Sequence, residues 1–457
     1  MIDYIHKLIN GKKVLILGFG REGRSTLPVL QRAEGAALIA VADAKAIDDE
    51  LPGEIIRITG EDYLKCLNDY DIVFKSPGIV LDREIEEYTC DIVSQTEVFF
   101  GCYRDRIIGI TGTKGKSTTT TLLYHILKES GFDVMLAGNI GIPVFEIADR
   151  MKDGTTAVIE LSCHQLEYMD VSARHAVYLN LHEEHLDHYG TMAKYTAAKE
   201  NIYKNQKPGD ELYCLDALAP SPDKCRAHVN TFGRKDEPAG GQAPDFCLDK
   251  DTIYYKKKDG TQAQYTIPTG NIKLIGEHNY LDIAFVYAVC RNFGIDDEAF
   301  SAALMTYEPL PHRLQFIGIR NNIKWYDDSI STIDETAIQA LNTLADADTI
   351  IIGGMDRGIS YKELEEYLAD SPVSNIILME ASGKRIYEEI CLMGDRFKSA
   401  GQRLVLVEHL EDAVRAAREI TKEGRSCVMS PAAASYGIFK NFEDRGEVFK
   451  RLVLEEG

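Results

Sequence analysis

Residues 109 to 120 read GITGTKGKSTTT. Gly112 and Gly115 free the backbone to curl round a phosphate. Lys116 can reach the β/γ oxygens, and Ser117 can ligate a magnesium ion. Thr113, Lys114 and Thr118 complete the loop. The spacing departs from the strict Walker form, because Ile110 stands where its first glycine would be. The order of apolar strand (RIIGI), GTKGKST and amphipathic helix (STTTTLLYHILKE) still points to an ATP site rather than a solvated glycine turn. A second glycine turn, GFGREG, places Gly18, Gly20 and Gly23 between a strand and a helix. Asp43 ends the next strand, 20 residues past Gly23. That is dinucleotide-fingerprint spacing. It suits a nicotinamide cofactor, another nucleotide diphosphate, or a plain turn that packs a helix on a sheet. Two nucleotide-like sites need a common reason. A dehydrogenase has no use for the second, whereas a ligase that activates a nucleotide-linked substrate with ATP uses both.

Further polar groups fall at strand ends. IELSCHQLE puts Glu160 at the end of one strand, and LNLHEEHLDHYG puts His185 and Asp187 just past another. Magnesium takes oxygen ligands and keeps its waters, so a carboxylate and a histidine beside a phosphate loop suit a pair of such ions. The histidines at 182, 185 and 188 also raise zinc. No cysteine partner stands at metal spacing, and the ATP setting favours magnesium. Cys163 reads as a small residue near the site, with nothing to support reactivity.

The elements that position these groups follow a strand-then-helix pattern, which predicts an α/β protein with parallel sheets. KKVLILGFG, ALIAVAD and DIVFKSPGI form one series. RIIGITGT, DVMLAGN, TAVIELS and AVYLNL form a second. NIKWYDDS, DTIIIGG, NIILME, RLVLVE and SCVMSP form a third. Between about 208 and 268 the pieces ELYCL and CLDKDTIYYKKKDGTQAQYTIP read as antiparallel hairpins, with DG as the turn. GEHNYLDIAFVYAVCRNFG reads as a core helix. A chain of 457 residues is too long for one core. Three domains are expected, at 1–97, 98–308 and 309–457. The net charge of −21 argues against a nucleic-acid binder and against docking on an anionic membrane. A local cluster of cations can still hold an anionic substrate. No signal peptide or membrane span is read, and the ten scattered cysteines suit free thiols in a cytosol.

GTKGKST, IELSCHQLE, LNLHEEHLDHYGTMAKYTAAKENIY, GEHN, LPHRLQF and SPAAASYGIFKNFEDRG occur in that order. Together they resemble the Mur ligases over essentially the whole chain, and the last motif is similar to that of the glutamate-adding member. The resemblance implies a Rossmann-like UDP-binding domain, a central P-loop ATPase domain, and a Rossmann-like C-terminal domain that closes over the site. It implies ATP-dependent addition of D-glutamate to UDP-MurNAc-L-alanine through an acyl phosphate, in cytoplasmic peptidoglycan synthesis, by a monomer.

The same resemblance assigns residues. Lys116 and Ser117 hold ATP phosphates and magnesium, and Glu160 and His185 ligate magnesium. Lys199 matches a lysine that is carbamylated into a further ligand. Asn139, Asn279 and Arg313 face ATP, and Asp328 takes the ribose hydroxyls. Gly18, Gly20, Gly23, Asp43, Ser76, Pro77 and Gly78 hold the UDP moiety, and Ser162 and Gln165 belong to the substrate set. Thr332, Arg357, Ser435 and Phe442 surround the incoming glutamate. Three departures stand out. DSISTI has Ile330 and Ile333 where the family often has Lys and Asn, GGMDRG has Arg357 for a Lys, and GEHNYLD has Asp282 for an Asn. Arg grips a carboxylate by two parallel bonds, so its swap is not neutral. An L-glutamate-adding variant therefore stays open. A folylpolyglutamate synthase-like ligase shares the ATPase core but lacks a unit like GFGREG ahead of it.

Overall fold

The computed structural model describes residues 1–47, 49–235, 243–257, 259–393, 397 and 401–455. The side chains of residues 187 and 278 also lie outside the description, so the expectation for Asp187 falls there. The chain forms two compact units. One comprises Met1–Lys273 with Glu277–Tyr307, and the other Leu274–Gly276 with Glu308–Gly457.

The first unit carries two sheets. One has strands β1 (Lys13–Leu17), β2 (Leu38–Asp43), β3 (Ile56–Thr59), β4 (Ile72–Lys75) and β5 (Asp91–Val93), in spatial order β3-β2-β1-β4-β5. Every pairing is parallel. β1 and β4 read as unbroken apolar runs because both faces of the sheet are covered. The order reverses between β1 and β4, so the loops after these strands open a crevice at their carboxyl ends. Those loops are Gly18–Gly23 and Ser76–Gly78.

The second sheet has strands β6 (Ile107–Thr111), β7 (Val134–Gly138), β8 (Thr156–Glu160), β9 (His175–Tyr178), β10 (Glu211–Leu215), β11 (His228–Arg234), β12 (Phe246–Asp249), β13 (Thr252–Lys256) and β14 (Gln262–Thr266). Their order is β14-β13-β12-β11-β10-β9-β6-β8-β7. β6 lies between β8 and β9 and is parallel to both. The loops after β6, β7, β8 and β9 therefore meet at one edge, which is where the chemistry-bearing motifs fall. The antiparallel reading of 208–268 holds for β12–β13 and β13–β14. It fails for ELYCL, which is β10 and pairs in parallel with β9 and β11. A short apolar run fits either direction. The crossover before it sets the direction, and hairpin composition further along does not.

The second unit holds strands β15 (Gln315–Arg320), β16 (Ile323–Asp327), β17 (Ala347–Gly353), β18 (Asn375–Met379), β19 (Arg403–Val407) and β20 (Ser426–Met429), ordered β15-β16-β20-β17-β18-β19. β15 is antiparallel to β16, and the remaining pairs are parallel. β3, β5 and β15 are short or half-exposed, and their composition did not announce them. Among the described residues, no helix is long and apolar enough to cross a membrane.

Candidate active site

The loop after β6 is built by tight contacts. Gly115 opens the helix Lys116–Glu129 at φ +80°, and a Cβ there would sit 2.7 Å from Asp282 Oδ1. Only glycine meets both demands. Asp282 and Asn279 share the helix Glu277–Asn292, and both are buried. Asn180, two residues past β9, clamps the loop. Its Oδ1 accepts from the backbone N–H of Thr113 (3.1 Å) and Lys114 (2.8 Å), and its Nδ2 donates to the Lys114 carbonyl (3.0 Å). Thr113 Oγ1 accepts from the His182 N–H at 2.9 Å and lies 3.1 Å from the Tyr195 hydroxyl. Lys116 Nζ donates to the carbonyls of Gly112 (3.0 Å) and Thr113 (2.8 Å), so the lysine is folded onto its own loop. Ser117 is half-buried and Thr118 buried in the first turn of the helix.

Lys199 comes to the same loop from the helix Met192–Lys204. It is 1% exposed, donates to the Gly112 carbonyl at 2.7 Å, and lies 5.0 Å from the Tyr195 ring centroid. Burial, and then the charge of Lys116, lower its ammonium from the usual 10.5 to about 7. A buried ammonium loses hydration, and a like charge nearby adds to the cost. Much of this lysine is a neutral amine near neutrality. Glu160, at the end of β8, is buried; its Oε1 accepts from Asn139 Nδ2 at 2.6 Å, and its Oε2 has no hydrogen-bond partner. A buried carboxylate oxygen without a donor is costly, and a cation would satisfy it. The donor set therefore fits magnesium. His185 takes a left-handed φ of +57°, uncommon outside glycine, and its ring centroid is 6.0 Å from that of Tyr195.

In the first sheet, Gly23 packs against the turn so closely that a Cβ would lie 2.2 Å from the Gly18 carbonyl oxygen. Ser76 Oγ donates to that same carbonyl at 2.8 Å, which ties the two loops of the crevice together. Asp43 is also engaged: its Oδ2 accepts from the Phe19 N–H (2.7 Å) and its Oδ1 from the Lys45 N–H (2.9 Å). Here it pins the glycine turn. Ser162 and Gln165 form a capping box on the helix Cys163–Leu166. Gln165 Nε2 also donates to Glu22 Oε1 at 2.9 Å. A shallow, solvent-open cleft is lined by Lys75, Pro77, Ser94, His164, Gln165 and Tyr168. Gly78 is exposed.

In the second unit, Asp328 is buried and takes three hydrogen bonds, from Leu314 N–H (3.0 Å), Ser331 Oγ (2.5 Å) and Ser430 Oγ (2.7 Å). Burial raises its carboxyl to about 6. A ribose hydroxyl would have to exchange with one of those donors. Arg313 is half-buried, with its Nε lacking a hydrogen-bond partner. Arg357 is exposed and donates to the Thr332 carbonyl at 2.5 Å, so both acceptor-pocket expectations sit together. Ser435 is buried, and the Phe442 carbonyl accepts from Ser329 Oγ at 2.8 Å.

Sequence reasoning missed Asn180, Tyr195, Glu22 and Lys75. Lys75 is buried and Glu22 half-buried; desolvation raises the carboxyl and lowers the ammonium, and each charge offsets part of the other's shift. Glu22 lies inside GFGREG and Lys75 just before Ser76. A charged residue inside an apolar strand end was the available signal.

This arrangement is a phosphate loop at the carboxyl edge of a parallel sheet, with a buried carboxylate and a buried lysine beside it. It is the frame of a nucleotide-dependent transferase or ligase. The chain belongs to the Mur ligase family. The pattern of the Mur ligase middle domain matches residues 110–290. A UDP-N-acetylmuramoylalanine–D-glutamate ligase of Acetivibrio thermocellus is 32% identical over 98% of this chain and 97% of its own. A crystal structure of MurF from Acinetobacter baumannii shares the fold with a TM-score of 0.61 and 17% identity, over 99% of this chain and 92% of that one. MurF ligase from Thermotoga maritima, solved in complex with ADP, matches with a TM-score of 0.57 and 18% identity, over 99% of each chain.

Proposed function

We propose that this chain joins D-glutamate to UDP-N-acetylmuramoyl-L-alanine with ATP as the energy source, forming one amide bond of a cytoplasmic peptidoglycan precursor. The observation that carries it is the likeness to a D-glutamate ligase over 98% of the chain, 32% identical. The residues gathered around the Gly112–Lys116 loop support it.

A carboxylate is a poor electrophile. Transfer of the γ-phosphoryl to the alanyl carboxylate gives an acyl phosphate with a good leaving group and releases ADP. The amine of glutamate attacks the acyl carbon, the tetrahedral oxyanion collapses, and phosphate departs. Positioning and charge neutralisation are the protein's main tasks. Lys116 would exchange its two carbonyl partners for phosphate oxygens. The loop amides, held by Asn180, would face the phosphates. Ser117, Glu160 and His185 would hold magnesium, which supplies charge neutralisation on the phosphates. The neutral amine of Lys199 would take up carbon dioxide as a carbamate, which turns a cation into a two-oxygen ligand. The loops Gly18–Gly23 and Ser76–Gly78 would take the UDP moiety, with Asp43 acting through the turn it pins. Arg313, Asn279 and Asn139 would serve ATP. Thr332, Arg357, Ser435 and Phe442 would form the amino-acid pocket. Working domains of 1–97, 98–308 and 309–457, in a monomer, are part of the same proposal.

The test is phosphate release with ATP, magnesium and UDP-N-acetylmuramoyl-L-alanine, comparing D- with L-glutamate and omitting each substrate in turn. Release that needs both the UDP-sugar and D-glutamate is the expected result. Preference for L-glutamate would trace to Ile330 and Arg357 and would replace the D assignment. Release with neither isomer would overturn the acceptor assignment.

A further inference from the structure

The loop after β8 and the loop after β9 bring together a cluster that the linear spacing hides. Cys163 Sγ and one ring nitrogen each of His164 and His185 all lie within 4.8 Å of one another. The His164 ring meets that of His185 edge-on, with centroids 5.1 Å apart. The cysteine that zinc lacks in the sequence around 182–188 is supplied by the fold, from the turn after β8, across β6 from β9. We propose that Cys163, His164 and His185 form a binding site for a thiophilic divalent cation of the zinc class, separate in donor set from the magnesium position and sharing only His185 with it.

The donor chemistry decides the ion. One sulfur and two imidazole nitrogens suit zinc or cobalt and not magnesium, which takes oxygen. Three protein ligands with a fourth place for water is the pattern of an open zinc site. Zinc bonds of about 2.0–2.3 Å put tetrahedral ligands roughly 3.4–3.6 Å apart, so the trio needs to contract by at most about 1.4 Å. Side-chain rotation covers that distance. Burial is graded: Cys163 is buried, His164 half-buried and His185 exposed. The thiol anchors from inside while the histidines face the entry side. The ligands are also held. The Ser162–Gln165 capping box fixes the turn that carries Cys163 and His164. The left-handed backbone of His185 is the kind of strain that clusters at functional sites. The Tyr189 hydroxyl lies 3.4 Å from His164 Nδ1, an outer contact that orients a ligating ring. A second trio, His164, Glu167 and His188, is also close. There, His188 Nε2 already meets both Glu167 oxygens, at 3.1 and 3.2 Å, so that pair is satisfied without an ion. A cation on the first trio draws His185 away from magnesium. On the ligase reading, zinc would then inhibit the reaction even with magnesium in excess.

The probe is Co²⁺ alone, titrated into the full-length protein without nucleotide, under a non-thiol reductant. Wild type is expected to show a thiolate-to-cobalt charge-transfer band in the near ultraviolet and the strong visible bands of four-coordination. Stoichiometric Zn²⁺ should abolish both, and excess Mg²⁺ should not. Cys163→Ser should remove the charge-transfer band, and His164→Phe and His185→Ala should each weaken cobalt binding by about tenfold or more. A wild type without the band overturns the site. So does a band that survives Cys163→Ser, or a His164→Phe variant that binds as wild type does. Circular dichroism establishes that each variant is folded. Should Cys163→Ser not fold, the histidine variants and the zinc displacement decide the matter. The spectrum needs no substrate, so its failure leaves the ligase reading standing, and failure of phosphate release leaves the cobalt site standing.

Discussion

Replacing Asn180 by Ala removes three hydrogen bonds from the phosphate loop, two accepted from Thr113 and Lys114 N–H and one donated to the Lys114 carbonyl. At about 1 kcal/mol net apiece, the ordered loop loses up to about 3 kcal/mol. Thr113 N–H keeps a partner in the Asn180 carbonyl at 3.1 Å, so about 2 kcal/mol is the better figure. If the loop must be ordered before it can grip a nucleotide, that cost appears in binding as roughly 30-fold weaker ADP affinity. Titration with a fluorescent ADP analogue measures it, and thermal unfolding shows whether the rest of the unit is intact. Asn180→Asp sharpens the test. It keeps both accepted bonds, loses the donated one, and puts a negative charge under the phosphate loop. It should bind nucleotide more weakly than Asn180→Ala despite the better preserved geometry. Binding by Asn180→Ala within about twofold of wild type would refute the idea that this amide organises the loop.

Lys199→Met should abolish phosphate release while raising thermal stability in carbonate-free buffer. The folded value of about 7 lies below the ordinary 10.5, so between these the unfolded chain holds a proton that the folded one has lost, and wild-type stability rises with pH across that window. The advantage of the variant should thus be greatest below about pH 7 and fade toward about pH 10 in melting curves. Gly23→Ala should destabilise the first sheet by about 1–3 kcal/mol, since its Cβ would meet the Gly18 carbonyl oxygen at 2.2 Å. Gly20→Ala meets nothing within 4 Å and should melt like wild type. A raised KM for the UDP-sugar with Gly20→Ala alone would show that the substrate approaches that turn. Glu160→Gln should remove the extra thermal stabilisation that magnesium gives in the presence of ADP, without lowering the melting temperature of the free protein. The Oε2 it replaces is buried and has no hydrogen-bond partner to lose.

The strands were legible because parallel strands covered on both faces must be continuous apolar runs, and Gly112, Gly115, Gly18 and Gly23 were legible because turns around phosphates leave no room for side chains. The lengths and places of β1, β4, β6 and β8 follow from that. The short strands β3, β5 and β15 escaped because partly exposed edge segments need no such run. Spacing along the chain also showed that Glu160 and His185 end at strand tips, but not what surrounds them. Only the order β9-β6-β8 in the sheet brings Asn180 to the phosphate loop, and packing of the helix Met192–Lys204 on that sheet buries Lys199 against Gly112. Lys199 reads as a surface residue in sequence because a lysine carries no signal of its own desolvation. Cys163 reads as inert because its partner His185 comes from the loop after a different strand, β9. Sequence determined which residue types stand at which strand ends. Tertiary structure decided which of those ends meet, and hence which groups lose water and change their chemistry. Burial and pairing belong to the assembled sheet, and neither is a property of any residue alone.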